Sequence, residues 1–292
     1  MKELPDIKLF VSCHQPEQQV PPLPILVPIQ VGTALAETRF PGFVYDDTGE
    51  NISAKNKVYC ELTAQYWAWK NVEADYYGFF HYRRYLCPDI HAEPACIYRI
   101  KSRPTPALLK EMGYERFQEV IAGYDLIVPR GENMRIPVRQ HYAQAPDHHR
   151  RDLDLVEEIL EKQYPDYVSA KDSYLSQSIC YFGNLFIMRR DLFRSYCQWL
   201  FPILAQFEAR RDLSPYNTSE KRVAGYLGER LLGIFVTYQK QNSGISLLEL
   251  PRVHFEENGV KRARQILFNK LLPPGSRKRA VVKSMIYHRR TE

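Results

Sequence analysis

The apolar run Tyr76-Tyr77-Gly78-Phe79-Phe80 stops on His81-Tyr82-Arg83-Arg84. Buried strands of parallel sheets read as continuous apolar runs, and open α/β sheets bind ligands outside the carboxyl ends of their strands. The cations therefore fall where a ligand is expected. A guanidinium offers a planar, permanently charged fork that grips two phosphate oxygens, so Arg83 and Arg84 suit paired phosphates. This predicts a diphosphate-bearing substrate with His81 beside it. Neighbouring side chains of an extended segment point in opposite directions, so one arginine is expected to anchor an acid such as Glu61 or Glu229. A salt-bridged surface turn is the plainer reading of the same residues. His14, just past the run Ile7–Ser12, is placed to meet a base or sugar, or is a simple loop histidine.

Few other constellations carry chemistry. No G-x-x-x-x-G-K-[ST], G-x-G-x-x-G or G-x-S-x-G occurs, so any phosphate is held by side chains and a serine nucleophile has no support. Transferases that hold Mn²⁺ or Mg²⁺ place a D-x-D at a strand end, where the metal neutralises a leaving diphosphate. The single D-x-D here, Asp152-Leu153-Asp154, opens a predicted helix instead, where capping and the helix dipole explain it. A cationic cluster can neutralise diphosphate charge without a metal, so metal-independent chemistry is expected. Asp46, Asp47 and Asn51 lie in an exposed turn-rich loop and could supply a base or sugar ligands, or only form Asx turns. His141, His148 and His149 with Arg139, Arg150 and Arg151 form a basic acceptor- or phosphate-facing loop, with zinc a remote alternative. Glu229 is either a base or a helix ion pair with a neighbour such as Arg222.

Alternating helices and short apolar strands must position these residues. Ile7–Ser12, Tyr76–Phe80, Asp125–Pro129 and Gly183–Met188 read as strands, and Gly233–Tyr238 as a fifth. Helices are expected over Asn56–Asn71, Pro106–Ala122, Leu153–Gln163 and Asp191–Arg211, with another starting near Glu220. Arg139–Arg151 and Asp212–Thr218 read as loops. Such alternation implies an α/β domain with a mostly parallel central sheet flanked by helices.

With 292 residues and 45% apolar content, the chain can bury a core as one domain. Its six cysteines lack any C-x-x-C pair and read as reduced thiols. The charged start, Met1–Phe10, and the lack of long apolar runs predict neither a signal peptide nor a membrane span, hence a cytoplasmic location. The net charge of +6 is concentrated in Arg252–Glu292, where eleven Lys/Arg face three Asp/Glu. Ile266, Leu267, Phe268, Leu271 and Leu272, then Val281, Val282, Met285 and Ile286, interleave with those cations. Residues 1–250 therefore read as the main domain and 251–292 as a basic amphipathic extension, suited to an anionic membrane surface or to packing on the domain. No nucleic-acid-reading motif is present, so nucleic acid is not an expected partner.

IKLFVSCHQP (7–16), PIQVGTAL (28–35), DDTGENISAKNKVYCELTAQYWAWKN (46–71), YYGFFHYRRYL (76–86), YDLIVPR (124–130), NLFIMRRDLF (184–193) and SPYNTSEKRVAGYLGERLLGIFV (214–236) together resemble a bacterial family. That family is catalogued as a domain of unknown function and found in capsular and exopolysaccharide gene clusters. The match runs in order over roughly residues 6–240. It departs from the usual pattern at Cys13, where a second histidine is common, and at Glu50, where Asp is frequent. The resemblance implies a GT-A-like glycosyltransferase with a single Rossmann-like domain, some members being similar to galactofuranosyltransferases that use UDP-galactofuranose. By motif it implies donor contacts at His14, Asp47, Asn51, Glu61, Tyr66, His81, Arg83 and Arg84, with Asn184, Arg222 and Glu229 further round. The expected reaction is hexosyl transfer from a UDP-sugar to a hydroxyl of a lipid-linked polysaccharide intermediate. Asp47 or Glu229 is the expected base, and His81, Arg83 and Arg84 hold the leaving group. The rival expectation is a non-catalytic module that binds anionic glycans or phosphate.

Overall fold

The computed structural model describes residues 4–89 and 97–288. Its strands are β1 (Ile7–Cys13), β2 (Leu26–Gln30), β3 (Val44–Tyr45), β4 (Tyr76–His81), β5 (Arg84–Leu86) and β6 (Ile97–Lys101). They continue with β7 (Leu126–Pro129), β8 (Glu132–Asn133), β9 (Ile179–Cys180), β10 (Phe186–Arg189), β11 (Leu247–Leu250) and β12 (Arg252–Phe255). The helices are α1 (Asn56–Tyr59), α2 (Leu62–Asn71), α3 (Pro106–Glu111), α4 (Phe117–Ala122), α5 (Val138–Gln144) and α6 (Arg150–Gln163). After them come α7 (Val168–Ser176), α8 (Arg190–Arg210), α9 (Val223–Asn242), α10 (Gly259–Leu271) and α11 (Arg277–His288).

The central sheet runs β11-β7-β10-β4-β1-β2-β3. β1 is parallel to β2 and β4, and β11 is parallel to β7, whereas β10 is antiparallel to both β4 and β7. The expected mostly parallel α/β sheet is therefore present, with one reversed strand at its middle. β5 extends β4 through the pair His81–Arg84, and β12 joins β5 to β6. Because β12 belongs to this sheet, the sheet reaches past residue 250, where the basic extension was expected to start.

Alternation along β1 shows how the layers form. Ile7, Leu9 and Val11 enter one apolar cluster, with α3 and α4, while Phe10 enters the other. That second cluster is built mainly on α2, α6, α8 and α9. Both faces are covered, which is why β1 and β4 carry no polar alternation.

Several elements differ from the sequence reading. The expected helix over 56–71 breaks at Cys60, and that over 106–122 breaks at Gly113, whose φ of 84° the helix cannot hold. Gly233–Tyr238 is not a strand but the middle of α9. Phe235, Val236 and Ile234 are buried there on all sides, so no 3.6-residue period separates helix from strand. Gly233 is required by contact: a Cβ there would lie 1.9 Å from Cζ of Tyr174. Part of the basic loop 139–151 is helical, in α5 and the start of α6. Cys13, Cys60, Cys87, Cys180 and Cys197 are free thiols, and Cys96 lies outside the described residues.

Candidate active site

The carboxyl ends of β1 and β4 open into a cleft of about 1010 Å³. β1 delivers Ser12 and His14, β4 delivers His81 to Arg84, the junction of α1 and α2 delivers Cys60 and Glu61, and the start of α9 delivers Arg222, Tyr226, Glu229 and Arg230. His141, His148 and Phe182 also line it.

Glu61 is held in the cleft by a residue distant in sequence. Asn184 Nδ2 donates to its Oε1 at 2.7 Å and also to the carbonyl of Gly225 at 3.0 Å. Both flanks of this contact are conformationally unusual, since Cys60 has φ 52° and Asn184 φ 50°. A non-glycine residue in such a conformation costs about 1–3 kcal/mol and persists only where its surroundings enforce it. Asn56 Nδ2 donates to the Cys60 carbonyl at 2.8 Å, which holds the kink that aims Glu61 inward. Burial raises the Glu61 carboxyl above its usual range, and nearby Glu229 adds to this, against the Asn184 donation and the Arg222 charge. Burial also pushes the Cys60 thiol up to about 11, so it stays protonated at neutral pH.

The same cleft carries a field of cations. Arg83 and Arg84 have no carboxylate partner among the described residues, contrary to the expectation that one would anchor Glu61 or Glu229. The Arg83 guanidinium sits 5.1 Å from the Tyr82 ring centre, and Arg222 Nε donates to Cys60 Sγ at 3.3 Å. Burial drives the His81 imidazole well below its ordinary value, and the charges of Arg84, His14, Arg83 and Arg222 add to it. His14 is lowered for the same reasons, burial first and then Arg83 and Arg222. Both imidazoles are neutral near pH 7, leaving the arginines as the fixed positive charge. Such a field suits a ligand with several anionic oxygens.

Glu229 lines the cleft with its oxygens already engaged. It accepts from the Gly183 backbone N–H at 2.6 Å and from Arg230 Nη1 at 2.9 Å. Arg230 is 1% exposed and stacks near Tyr142 and Phe182, at 5.4 and 5.6 Å. Glu229 thereby compensates a buried charge and holds the turn before β10, which places Asn184.

Other expected donor contacts sit elsewhere. Asp47 accepts from Arg39 Nη2 at 2.7 Å, Asn51 donates to the carbonyls of Asp47 and Gly49, and Tyr66 donates to Glu50 at 2.9 Å. None of the three lines the cleft. Asp46, expected in an exposed loop, is fully buried. It accepts from the backbone N–H groups of Gly32 and Thr33 and from the hydroxyls of Ser53 and Thr63, so it pins β2 to the helix start. Asp152 stands in the first turn of α6 as expected, but it is buried and accepts from Tyr216 rather than capping. Among the described residues no three His, Cys, Asp or Glu side chains converge as a metal-ligand set. Cys60 and Arg230 went unnoticed in the sequence. Arg230 had one signal, a cation set between Glu229 and the apolar run that follows.

An α/β fold on one large central sheet, with a cationic cleft at the carboxyl ends of its inner parallel strands, is the class these features define. The chain belongs to the family described as Domain of unknown function (DUF4422), which matches residues 8–241. It is similar to the apo structure of WbbM, a bifunctional glycosyltransferase, at 34% identity and a TM-score of 0.80. That likeness covers 86% of this chain and 45% of WbbM, so this chain corresponds to less than half of that protein. No curated protein matches the sequence.

Proposed function

We propose that the chain is a glycosyltransferase that moves a hexose from a UDP-sugar to a hydroxyl of a lipid-linked glycan. The observation that carries this reading is one acid, Glu61, fixed by Asn184 in a cleft whose arginines Arg83, Arg84 and Arg222 lack carboxylate partners. The likeness to WbbM supports the class of reaction. The family resemblance supports galactofuranose as the sugar, with capsule, exopolysaccharide or O-antigen synthesis at the inner face of the membrane as its setting.

In this reading the donor diphosphate lies against Arg83, Arg84 and Arg222, with His14 and neutral His81 as hydrogen-bonding neighbours. The Glu61 carboxylate takes the proton of the acceptor hydroxyl as its oxygen bonds to the anomeric carbon. The bond from that carbon to the diphosphate breaks, and UDP leaves with the electron pair, its charge balanced by the guanidiniums. One base and one displacement invert the anomeric centre. Glu61 takes the role that Asp47 or Glu229 was expected to fill, because Asp47 lies outside the cleft and Glu229 has its oxygens engaged.

A UDP-release assay with a panel of UDP-sugars tests this directly. Release with one donor, stimulated by acceptor glycan, is the expected result. Tight UDP binding without consumption of any donor would instead make the chain a binding module.

A further inference from the structure

A second cationic hollow lies beside β6 and β12. It measures about 520 Å³ and is lined by Ile100, His254, Lys261, Arg264, Phe268 and Arg279, so its walls come from the sheet edge, α10 and α11. Neither Lys261 nor Arg264 has a carboxylate partner among the described residues. Arg279 is fixed by donating to Asn269 Oδ1 at 2.8 Å and to the Leu272 carbonyl at 3.0 Å, with its guanidinium 5.0 Å from the Phe268 ring centre and its Nε 3.9 Å from the Glu132 carboxylate, which leaves Lys261 and Arg264 as the hollow's cations without an acidic partner among the described residues. His254 is held neutral, pushed down to about 3 by burial and by the charges of Arg252, Arg84 and Arg279. The hollow thus concentrates positive charge beside an aromatic wall.

The outer side of the same helix is apolar and bare. Val260, Leu267 and Leu271 are 72, 57 and 65% exposed, and with Ala263 they recur at three- and four-residue spacing on one face of α10. Val281 and Met285, four residues apart on α11, are also exposed. Arg264 and Lys270 border the α10 stripe. A helix with a bare apolar stripe and flanking cations is suited to lie in an anionic lipid interface.

We propose that α10 and α11 dock the chain on an anionic bilayer, the apolar stripe entering the headgroup layer and the hollow of Lys261, Arg264 and Arg279 receiving a headgroup phosphate. The occupant is chosen by charge complementarity, since eleven cations against three acids fill residues 252–292. Placement also favours it: His254 pairs across the strands with Arg84, so the docking hollow and the catalytic cleft share one wall. The proposal deepens the membrane-held acceptor of the preceding reading, yet vesicle binding is measured without turnover and can stand or fall separately.

The test is co-sedimentation of the full chain with phosphatidylcholine vesicles and with the same vesicles containing phosphatidylglycerol. Binding to the second only, released by high salt, is expected. Lys261→Glu with Arg264→Glu should weaken it by about tenfold or more. The pair Lys270→Glu and Arg277→Glu, outside the hollow, should weaken it less. Melting temperature and UDP release report that each variant remains folded. Equal binding to both vesicles, binding to neither, or equal losses from the two charge reversals would overturn the proposal.

Discussion

Asn184 Nδ2 and Glu61 Oε1 meet at 2.7 Å although 123 residues separate them in sequence. Each stands at or beside a non-glycine residue with positive φ, and the contact joins the kink before α2 to the turn before β10. Backbone cost is thus concentrated around one carboxylate, where it fixes direction.

Replacing that carboxylate should stop the chemistry while sparing the fold. Glu61→Gln is expected to lower kcat/KM by about 10²- to 10⁴-fold, the usual share of a general base. Asn184→Gly keeps the left-handed backbone and removes only the donor. The donation favours the charged carboxylate, so its loss raises the Glu61 pKa further and moves the acid limb of the pH profile to higher pH. An unmoved limb would show that Glu61 is not the titrating base.

The arginines should govern diphosphate affinity. Arg83→Ala or Arg84→Ala removes charge-assisted hydrogen bonds worth about 1.5–3 kcal/mol each, weakening UDP binding by about 10- to 150-fold. Lysine at either position keeps the charge but lacks the fork, so rescue should be partial. Arg83 is exposed, and its loss should leave the melting temperature unchanged.

Acid should destabilise the fold through its neutral imidazoles. His148 and His254 are both held near about 3, mainly by burial, whereas an unfolded histidine titrates near about 6.5. Between those values the unfolded chain takes up protons that the folded chain refuses, so stability rises with pH across this window and is lost as pH falls. The cost is about 1 kcal/mol per histidine for each pH unit below about 6.5. Thermal melts from pH 8 to 5 should show the decline, and His254→Gln should make it shallower.

Chelation should leave turnover intact. EDTA in the UDP-release assay is expected to change the rate little, because guanidiniums rather than a divalent cation balance the leaving diphosphate in the mechanism proposed. Loss of activity restored by Mn²⁺ would refute this.

Cys60 offers a separation of stability from activity. Glycine adopts φ 52° without strain, so Cys60→Gly should raise stability by about 1 kcal/mol. The freer backbone should let Glu61 drift and lower kcat. Falling stability with unchanged kcat would contradict the link between the kink and the acid.

The cation cluster was legible because an apolar run ending in His81-Tyr82-Arg83-Arg84 marks a strand end by composition alone. The parallel frame was legible from helix and strand alternation. Glu61 was singled out in the sequence, but its choice as the proposed base was not legible there, since that rests on its contact with Asn184, far away in sequence, and on a backbone conformation that residue types do not announce. Asp47 drew attention as an acid in a turn-rich loop, where Arg39 in fact engages it. The strand expected at 233–238 failed because a helix buried on every side loses the periodicity by which helices are recognised.

β10 runs against β4 and β7, so the chain reaches the ligand edge through the segment leading into that strand, whereas His14 and Arg83 follow theirs. Anion grip and acid alignment are thereby written in separate stretches of the gene. In the reaction proposed, point changes ahead of β10 would retune which hydroxyl is deprotonated and leave the nucleotide's seat untouched, a modular route to divergence in linkage.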